Sequence, residues 1–339
     1  MTKQQVGISF VLAVLTLQST EQAISANLPS ASTASVTTAP AYAAEPIQPI
    51  PEPPKLDPLK VELGARLFRD PRISGDGSIS CASCHIEELA FTDRQALSRR
   101  IGGEITEFNT PTLFNVTHNF RFFWNGRVQH VEEQLVKARD IGANWDSTLL
   151  KLRNDKEYAP RFARAYPQGM TAATLQDAIV TFERSLITPN ARFDRYLRGD
   201  KNAITREETE GYRLFKSYGC ASCHQGVNVG GNMYQKLGVM RDFFKSRAPG
   251  EKADLGRFAV TQQEQDRHVF RVPGLRNIAL TAPYLHNGSA KTLREVIGVM
   301  GKYQLGREIP PRDVDLLIAF LHTLSGEYQG KALGQAPAK

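Results

Sequence analysis

With 339 residues, 41% of them hydrophobic and 23% charged, the chain is long enough for two domains with separate cores, and it is neither fibrous nor wholly disordered. Its 42 Lys and Arg against 35 Asp and Glu leave a net charge of +7, which suits an acidic protein partner or an anionic surface. No basic cluster interleaved with aromatics points to nucleic acid.

Residues 1–43 read as a signal peptide. Lys3 stands near the start, an apolar run extends from Val6 to Leu17, and small residues lead to Ala41-Tyr42-Ala43. The run is short for a permanent membrane span. Cleavage after Ala43 with export to a periplasm is the expectation, and an uncleaved segment would be a Ser/Thr/Ala-rich tether. The charge of +7 survives cleavage, because residues 1–43 carry only Lys3 and Glu21.

Residues 44–58 form a Pro-rich, extended lead-in. From Leu59 to Phe68 apolar positions recur at helical spacing, and Asp70-Pro71 ends the run. A Gly/Ser loop then leads to Cys81-Ala82-Ser83-Cys84-His85. The same five letters return as Cys220-Ala221-Ser222-Cys223-His224, and together they use all four cysteines. A redox dithiol needs no following histidine, and a zinc site needs two Cys pairs converging on one metal. Two thiols at this spacing can instead add to the two vinyl groups of a haem, with the adjoining histidine as an axial iron ligand. The chain is therefore expected to carry two covalently bound haem c groups, with exported location in agreement.

The repeat extends beyond these motifs. Gly64-x-Arg66-Leu67-Phe68 precedes the first as Gly211-x-Arg213-Leu214-Phe215 precedes the second, where Thr205 and Glu208 also read as a capping box. Pro111-x-Leu113-x-Asn115 matches Pro273-x-Leu275-x-Asn277, Asn125-Gly126 matches Asn287-Gly288, and Val131 to Gln134 matches Leu293 to Val296. Each half closes with an apolar helix, Leu175 to Leu186 and Val314 to Leu324. The expected fold is mainly α: two cytochrome-c-like helical domains related by internal duplication, each with one covalent c-type haem. Residues 59–198 would form the first and 199–330 the second, joined around Asn190 to Asn202, with 331–339 as a tail.

The duplication distinguishes the two irons. A helix opening at Thr292 leads to Met300, whose thioether would complete His224/Met300 ligation and raise the potential. Met233 and Met240 are rival ligands. The repeat carries Met300 onto Ala138, which has no ligating atom, so the first iron is expected to be open to a small molecule such as hydrogen peroxide.

These residues resemble the bacterial di-haem cytochrome c peroxidase family, which includes MauG-type oxidases. The resemblance spans nearly all of residues 55–326 and rests on both haem motifs, Asn109-Thr110-Pro111, Phe123-Trp124-Asn125-Gly126-Arg127, Glu132-Glu133-Gln134, Thr281-Ala282-Pro283-Tyr284, His286-Asn287-Gly288 and Met300. It implies that the first haem, on Cys81, Cys84 and His85, is peroxidatic. The second, on Cys220, Cys223, His224 and Met300, would receive electrons from a small donor protein, a cytochrome c or a cupredoxin. Trp124 would relay electrons between the haems, and a calcium ion would be held by Asn109, Thr281 and Pro283. A homodimer is the common family state.

Two departures follow from the same comparison. Residues 86–117 contain no histidine to cap the first iron, so it is expected to be open without reductive activation. Counting from Gln134, the family's distal glutamate falls at Asn144, which hydrogen-bonds but cannot shuttle a proton. Asp140 or a water chain is the expected substitute. The alternatives to a peroxidase are a MauG-like oxidase of a partner protein and an electron carrier with a decayed pocket. Tyrosine at the Met300 position in MauG-type members argues against the former. Of the other histidines, His118, His130, His268, His286 and His322, all are read as structural or surface residues, with His118 the one placed to be an unexpected ligand.

Overall fold

A computed structural model describes residues 41–136, 142–245 and 251–334. The signal-peptide expectation falls almost entirely outside the described residues, as do Ala138, Asp140 and residues 335–339 of the tail. The described chain is mainly helical. It holds α1 (Pro58–Arg69), α2 (Val131–Val136), α3 (Trp145–Arg153), α4 (Tyr158–Ala165), α5 (Ala172–Ser185), α6 (Arg192–Leu197), α7 (Arg206–Ser217), α8 (Phe258–Thr261), α9 (Leu293–Val299) and α10 (Pro311–His322). Two small antiparallel ribbons accompany them, β1 (Tyr234–Lys236) with β2 (Val269–Arg271) and β3 (Glu327–Tyr328) with β4 (Lys331–Ala332).

The two long entry helices start and stop where their end residues demand. Asp57 caps α1 by accepting from Leu59 N at 2.9 Å, Pro58 occupies the first turn where its missing N–H costs nothing, and Asp70-Pro71 ends it. Thr205 and Glu208 form the reciprocal capping box at the start of α7. Each helix then crosses the closing helix of its half at a glycine. A Cβ on Gly64 would collide with Ala178 O of α5, and one on Gly211 would collide with Leu316 O of α10. Backbone contact this close is open only to glycine.

Two apolar clusters grow from these crossings. The first gathers Leu63, Leu67 and Phe68 of α1 with Phe91, Phe114, Phe162, Leu175, Ile179 and Phe182. The second gathers Tyr212 and Phe215 of α7 with Phe193, Leu293, Ile297, Leu317, Phe320 and Leu321. The segment expected to join the halves, Asn190 to Asn202, carries α6, whose Phe193 and Leu197 are buried in the second cluster. Those side chains are apolar on one face of a short helix, which the reading of a plain connection overlooked.

The chain ends cross over. Ile47 and Ile50 of the Pro-rich lead-in are fully buried, and Ile47 bridges Gly226 beside the second haem motif, with Gly226 N donating to Pro46 O at 2.8 Å. Arg276 and Arg198 anchor the same segment through Gln48 O at 2.8 Å and Ile50 O at 2.6 Å. Conversely Tyr328, near the other end, packs its ring against Phe114 and Phe91 of the first cluster, with centroids 5.0 and 6.2 Å apart.

The crossings give a differential stability test. Gly64→Ala and Gly211→Ala should each destabilise the protein by about 1–3 kcal/mol, the usual range for overpacking. Gly298→Ala, on an exposed part of α9 where a Cβ meets nothing, should leave thermal unfolding unchanged or raise its midpoint. Equal midpoints for all three variants would contradict the close-crossing account.

Candidate functional site

Each Cys-x-x-Cys-His motif folds into the same short turn. Cys81–Ser83 and Cys220–Ser222 form single 3-10 turns, and His85 N and His224 N donate to Cys81 O and Cys220 O, both at 2.9 Å. The preceding helix places a phenylalanine beside each imidazole, Phe68 at 6.4 Å from His85 and Phe215 at 6.5 Å from His224. His85 Nδ1 lies 3.0 Å from Phe91 O, a bond that fixes the proton on Nδ1 and leaves Nε2 as the metal-binding nitrogen. Burial pulls the His224 pKa down to about 4, so this ring is also neutral and competent to ligate.

The cysteines do not resemble a redox or zinc site. None is in a disulfide, and burial pushes the Cys220 thiol up to about 11 and Cys81 higher still. Reactive dithiols have depressed values. Among the described residues no three His, Cys, Asp or Glu side chains converge to hold a metal, so the two Cys pairs do not assemble a shared tetrahedral site.

A deep apolar cavity opens beside the second motif. Its wall includes Cys220, Cys223 and His224, the side chains of Phe215, Leu293, Val296, Ile297, Leu317 and Leu321, and Met300. Of the three candidate methionines only Met300 lines it, while Met240 is 61% exposed. Thr292 caps α9 by accepting from Glu295 N at 3.2 Å, and the helix then widens into a π turn, Met300–Gln304. Gln304 fixes that turn, donating to Lys236 O at 3.0 Å and accepting from Val239 N at 3.2 Å.

The cavity also fits the charge of a haem. Arg271 lines it at 4% exposure, with hydrogen bonds to the neutral oxygens Phe123 O and Asn119 Oδ1, both at 3.3 Å, and burial lowers its pKa to about 10. A buried cation held by neutral oxygens favours an anionic group, as the propionates of a porphyrin supply. Arg276, also in the wall, is instead paired with buried Asp194 at 2.7 Å.

Trp124, Asn109, Thr281 and Pro283 share the same wall. Trp124 Nε1 donates to Asn109 O at 2.9 Å, and its ring meets His286 edge-on at 6.5 Å. His286 is buried, 2.6 Å from Asp254 Oδ1 and stacked on Phe270. Asn109 Nδ2 donates to Gln95 O and Ala96 O at 2.9 and 3.2 Å. The three residues expected to hold calcium all line this cavity.

The first half differs. Gln134 on α2 donates from Nε2 to Glu183 of α5, a carboxyl only 3% exposed. Burial raises the Glu183 pKa to about 8, against the lowering effect of the Gln134 bond. Asn144, by contrast, is exposed and its Oδ1 accepts from Ser147 N at 2.9 Å, capping α3. Burial lowers the pKa of His118, and the charge of Arg276 lowers it further. Glu183 escaped the sequence reading because it sits inside an apolar helix read for its hydrophobic face. A lone acid between Phe182 and Leu186 was the available signal.

Comparison with known proteins gives a consistent result. A family model described as di-haem cytochrome c peroxidase matches residues 58–202. The cytochrome c peroxidase of Escherichia coli (strain K12) is 43% identical over 300 residues, which is 87% of this chain and 64% of that protein, so the chain spans under two thirds of that relative. The cytochrome c551 peroxidase of Nitrosomonas europaea is 39% identical over 84% of this chain and 85% of its own length. Among solved structures, a MauG-like protein associated with microbial copper homeostasis superposes with a TM-score of 0.72 at 29% identity, covering 86% of this chain and 95% of that one.

The raised pKa of Glu183 has a direct thermodynamic consequence. A carboxyl whose folded pKa exceeds its unfolded value of about 4.5 contributes stability at low pH and loses it as pH rises toward about 8. Across that window wild type should lose stability relative to Glu183→Gln, by about 1.4 kcal/mol at most for each pH unit crossed. Parallel melting curves for the two proteins at every pH would contradict the burial of an ionisable group here.

Proposed function

The chain belongs to the di-haem cytochrome c peroxidase family, and we propose that it is a peroxidase reducing hydrogen peroxide to water with electrons from a small redox protein. The observation that carries this reading is the unlike character of the two halves. The second cavity is walled by Met300, Val296 and Leu321, whereas the first half carries a hydrogen-bonded Gln134–Glu183 pair whose carboxyl charge reaches Cys81. One wall suits a sealed electron carrier, and the other offers polar groups to a reactive ligand.

In this reading Cys81, Cys84 and His85 hold one haem, and Cys220, Cys223, His224 and Met300 hold the other. The haems supply the redox chemistry of iron when bound. The protein's own groups do the rest. His85 Nδ1, bonded to Phe91 O, keeps its ring oriented. Arg271 anchors anionic propionates, and Trp124, braced by Asn109 O, lies between the halves as the electron relay. Asn109, Thr281 and Pro283 would hold a calcium ion. Gln134 orients peroxide by hydrogen bonding, and Asn144, exposed as a helix cap, takes no part in proton transfer. The export reading of residues 1–43 puts this activity in a periplasm. The surplus of positive charge favours an acidic cytochrome or cupredoxin as donor.

A MauG-like oxidation of a partner protein is the second reading, favoured by the lack of a histidine in residues 86–117. Met300 in the cavity wall speaks against it, because a thioether stabilises a conventional low-spin carrier.

Mixing the reduced protein with donor and peroxide should consume two donor electrons per peroxide. Donor left unoxidised while a long-lived oxidised state accumulates would overturn the reading in favour of the MauG-like one. In addition, Met300→Ala should abolish the methionine-to-iron absorption band and slow donor oxidation at least tenfold, whereas Met240→Ala should change neither. Retention of the band in Met300→Ala would remove Met300 as the ligand.

A further inference from the structure

The two helix crossings align the halves residue by residue. A Cβ at Gly64 would meet Ala178 O and Phe182 Cβ, and one at Gly211 would meet Leu316 O and Phe320 Cβ. Ala178 therefore corresponds to Leu316, Phe182 to Phe320, and Glu183 to Leu321. The repeat already pairs Gln134 with Val296. Both Leu321 and Val296 line the second cavity, as apolar wall. At the equivalent wall positions the first half carries a carboxyl and a carboxamide, bonded to each other.

Glu183 is buried, and its charge reaches Cys81, one of the two expected thioether positions. The charged and titratable groups whose fields reach it are Cys81 and Glu132 on α2, which pairs with Arg184; Arg69 on α1 stands over the ring of the adjacent Phe182, 5.7 Å from its centroid. In an otherwise apolar helix face, a carboxyl in this place is a costly choice for structure alone.

We propose that Glu183 is the proton acceptor coupled to the first haem, taking one proton from solvent as that haem takes one electron, with Gln134 as the residue that positions the carboxyl. The inference rests on Cys81, Cys84 and His85 holding a haem. Its cause is electrostatic. A buried carboxylate beside a ferric centre is stabilised by the positive charge, and reduction removes that charge, so the proton follows the electron. One O–H bond forms, one electron enters, and the net charge of the pocket is unchanged. Reduction of peroxide to two waters consumes two electrons and two protons, and the proton on Glu183 is one that Asn144 cannot supply.

The test is the midpoint potential of each haem in the holoprotein, followed optically from about pH 5 to pH 9, a span that brackets the shifted carboxyl. The first haem's potential should fall with rising pH at one proton per electron over part of this range, and the second haem's should not share that slope. Glu183→Gln should flatten the first haem's response. Gln134→Leu should move the sloping region to higher pH, because the amide donor that favours the carboxylate is gone. If Glu183→Gln fails to retain haem, Glu183→Leu, which installs the side chain of the second half, takes its place. An unchanged slope in these variants, or no slope in wild type, overturns the proposal. Peroxide turnover is scored separately: a slope lost in Glu183→Gln of a protein that does not turn over peroxide upholds the coupling and rejects only the peroxidase reading.

Discussion

The close passage of helix backbones at Gly64 and Gly211 is the contact on which the rest of this structure depends. With no side chain between them, α1 seats on α5 and α7 on α10, so Phe68 and Phe215 reach the imidazoles of His85 and His224 at nearly the same distance. The same contact fixes which residues of α5 and α10 face the haem motifs. A shift of one position would turn Leu321 away from its cavity and Glu183 away from Gln134. Equivalent scaffolds thus present unlike chemistry at equivalent positions, and that difference is what the functional reading uses.

The crossed chain ends extend this logic. The lead-in at Ile47 and Ile50 belongs to the packing around the second motif, although it precedes α1 in the chain, while Tyr328 completes the aromatic cluster of the first half. Each half is closed by a segment from the far end of the sequence. Arg276 links three such pieces at once, bonding Asp194 of α6, Gln48 of the lead-in and Val227 beside the second motif. Burying this ion pair is expensive in isolation, and its carbonyl partners offset part of that cost.

Much of the architecture was legible from local signals. The capping box of Thr205 and Glu208, the stop at Asp70-Pro71 and the repeated Cys-x-x-Cys-His act within a few residues, and each appears where the chain's own letters place it. Met300 was separable from Met233 and Met240 only by the repeat, and of the three Met300 alone lines the cavity beside the second motif. What the sequence concealed was long-range. Nothing local marks Ile47 as a partner of Gly226, Phe193 as part of the second cluster, or Arg271 as a buried cation. Glu183 was hidden for a different reason: helical periodicity classes it with its apolar neighbours, and only the hydrogen bond from Gln134 reveals that its site is polar. Counting along the chain led to Asn144, which the fold uses as the cap of α3.

The central claim, that one iron is sealed by protein on both faces and the other is open, is tested most directly by the electron paramagnetic resonance spectrum of the fully oxidised protein. The account predicts two ferric signals of equal weight, one low-spin from the His224/Met300 centre and one high-spin from the His85 centre. Two low-spin signals, persisting at every pH at which the protein stays folded, would contradict it.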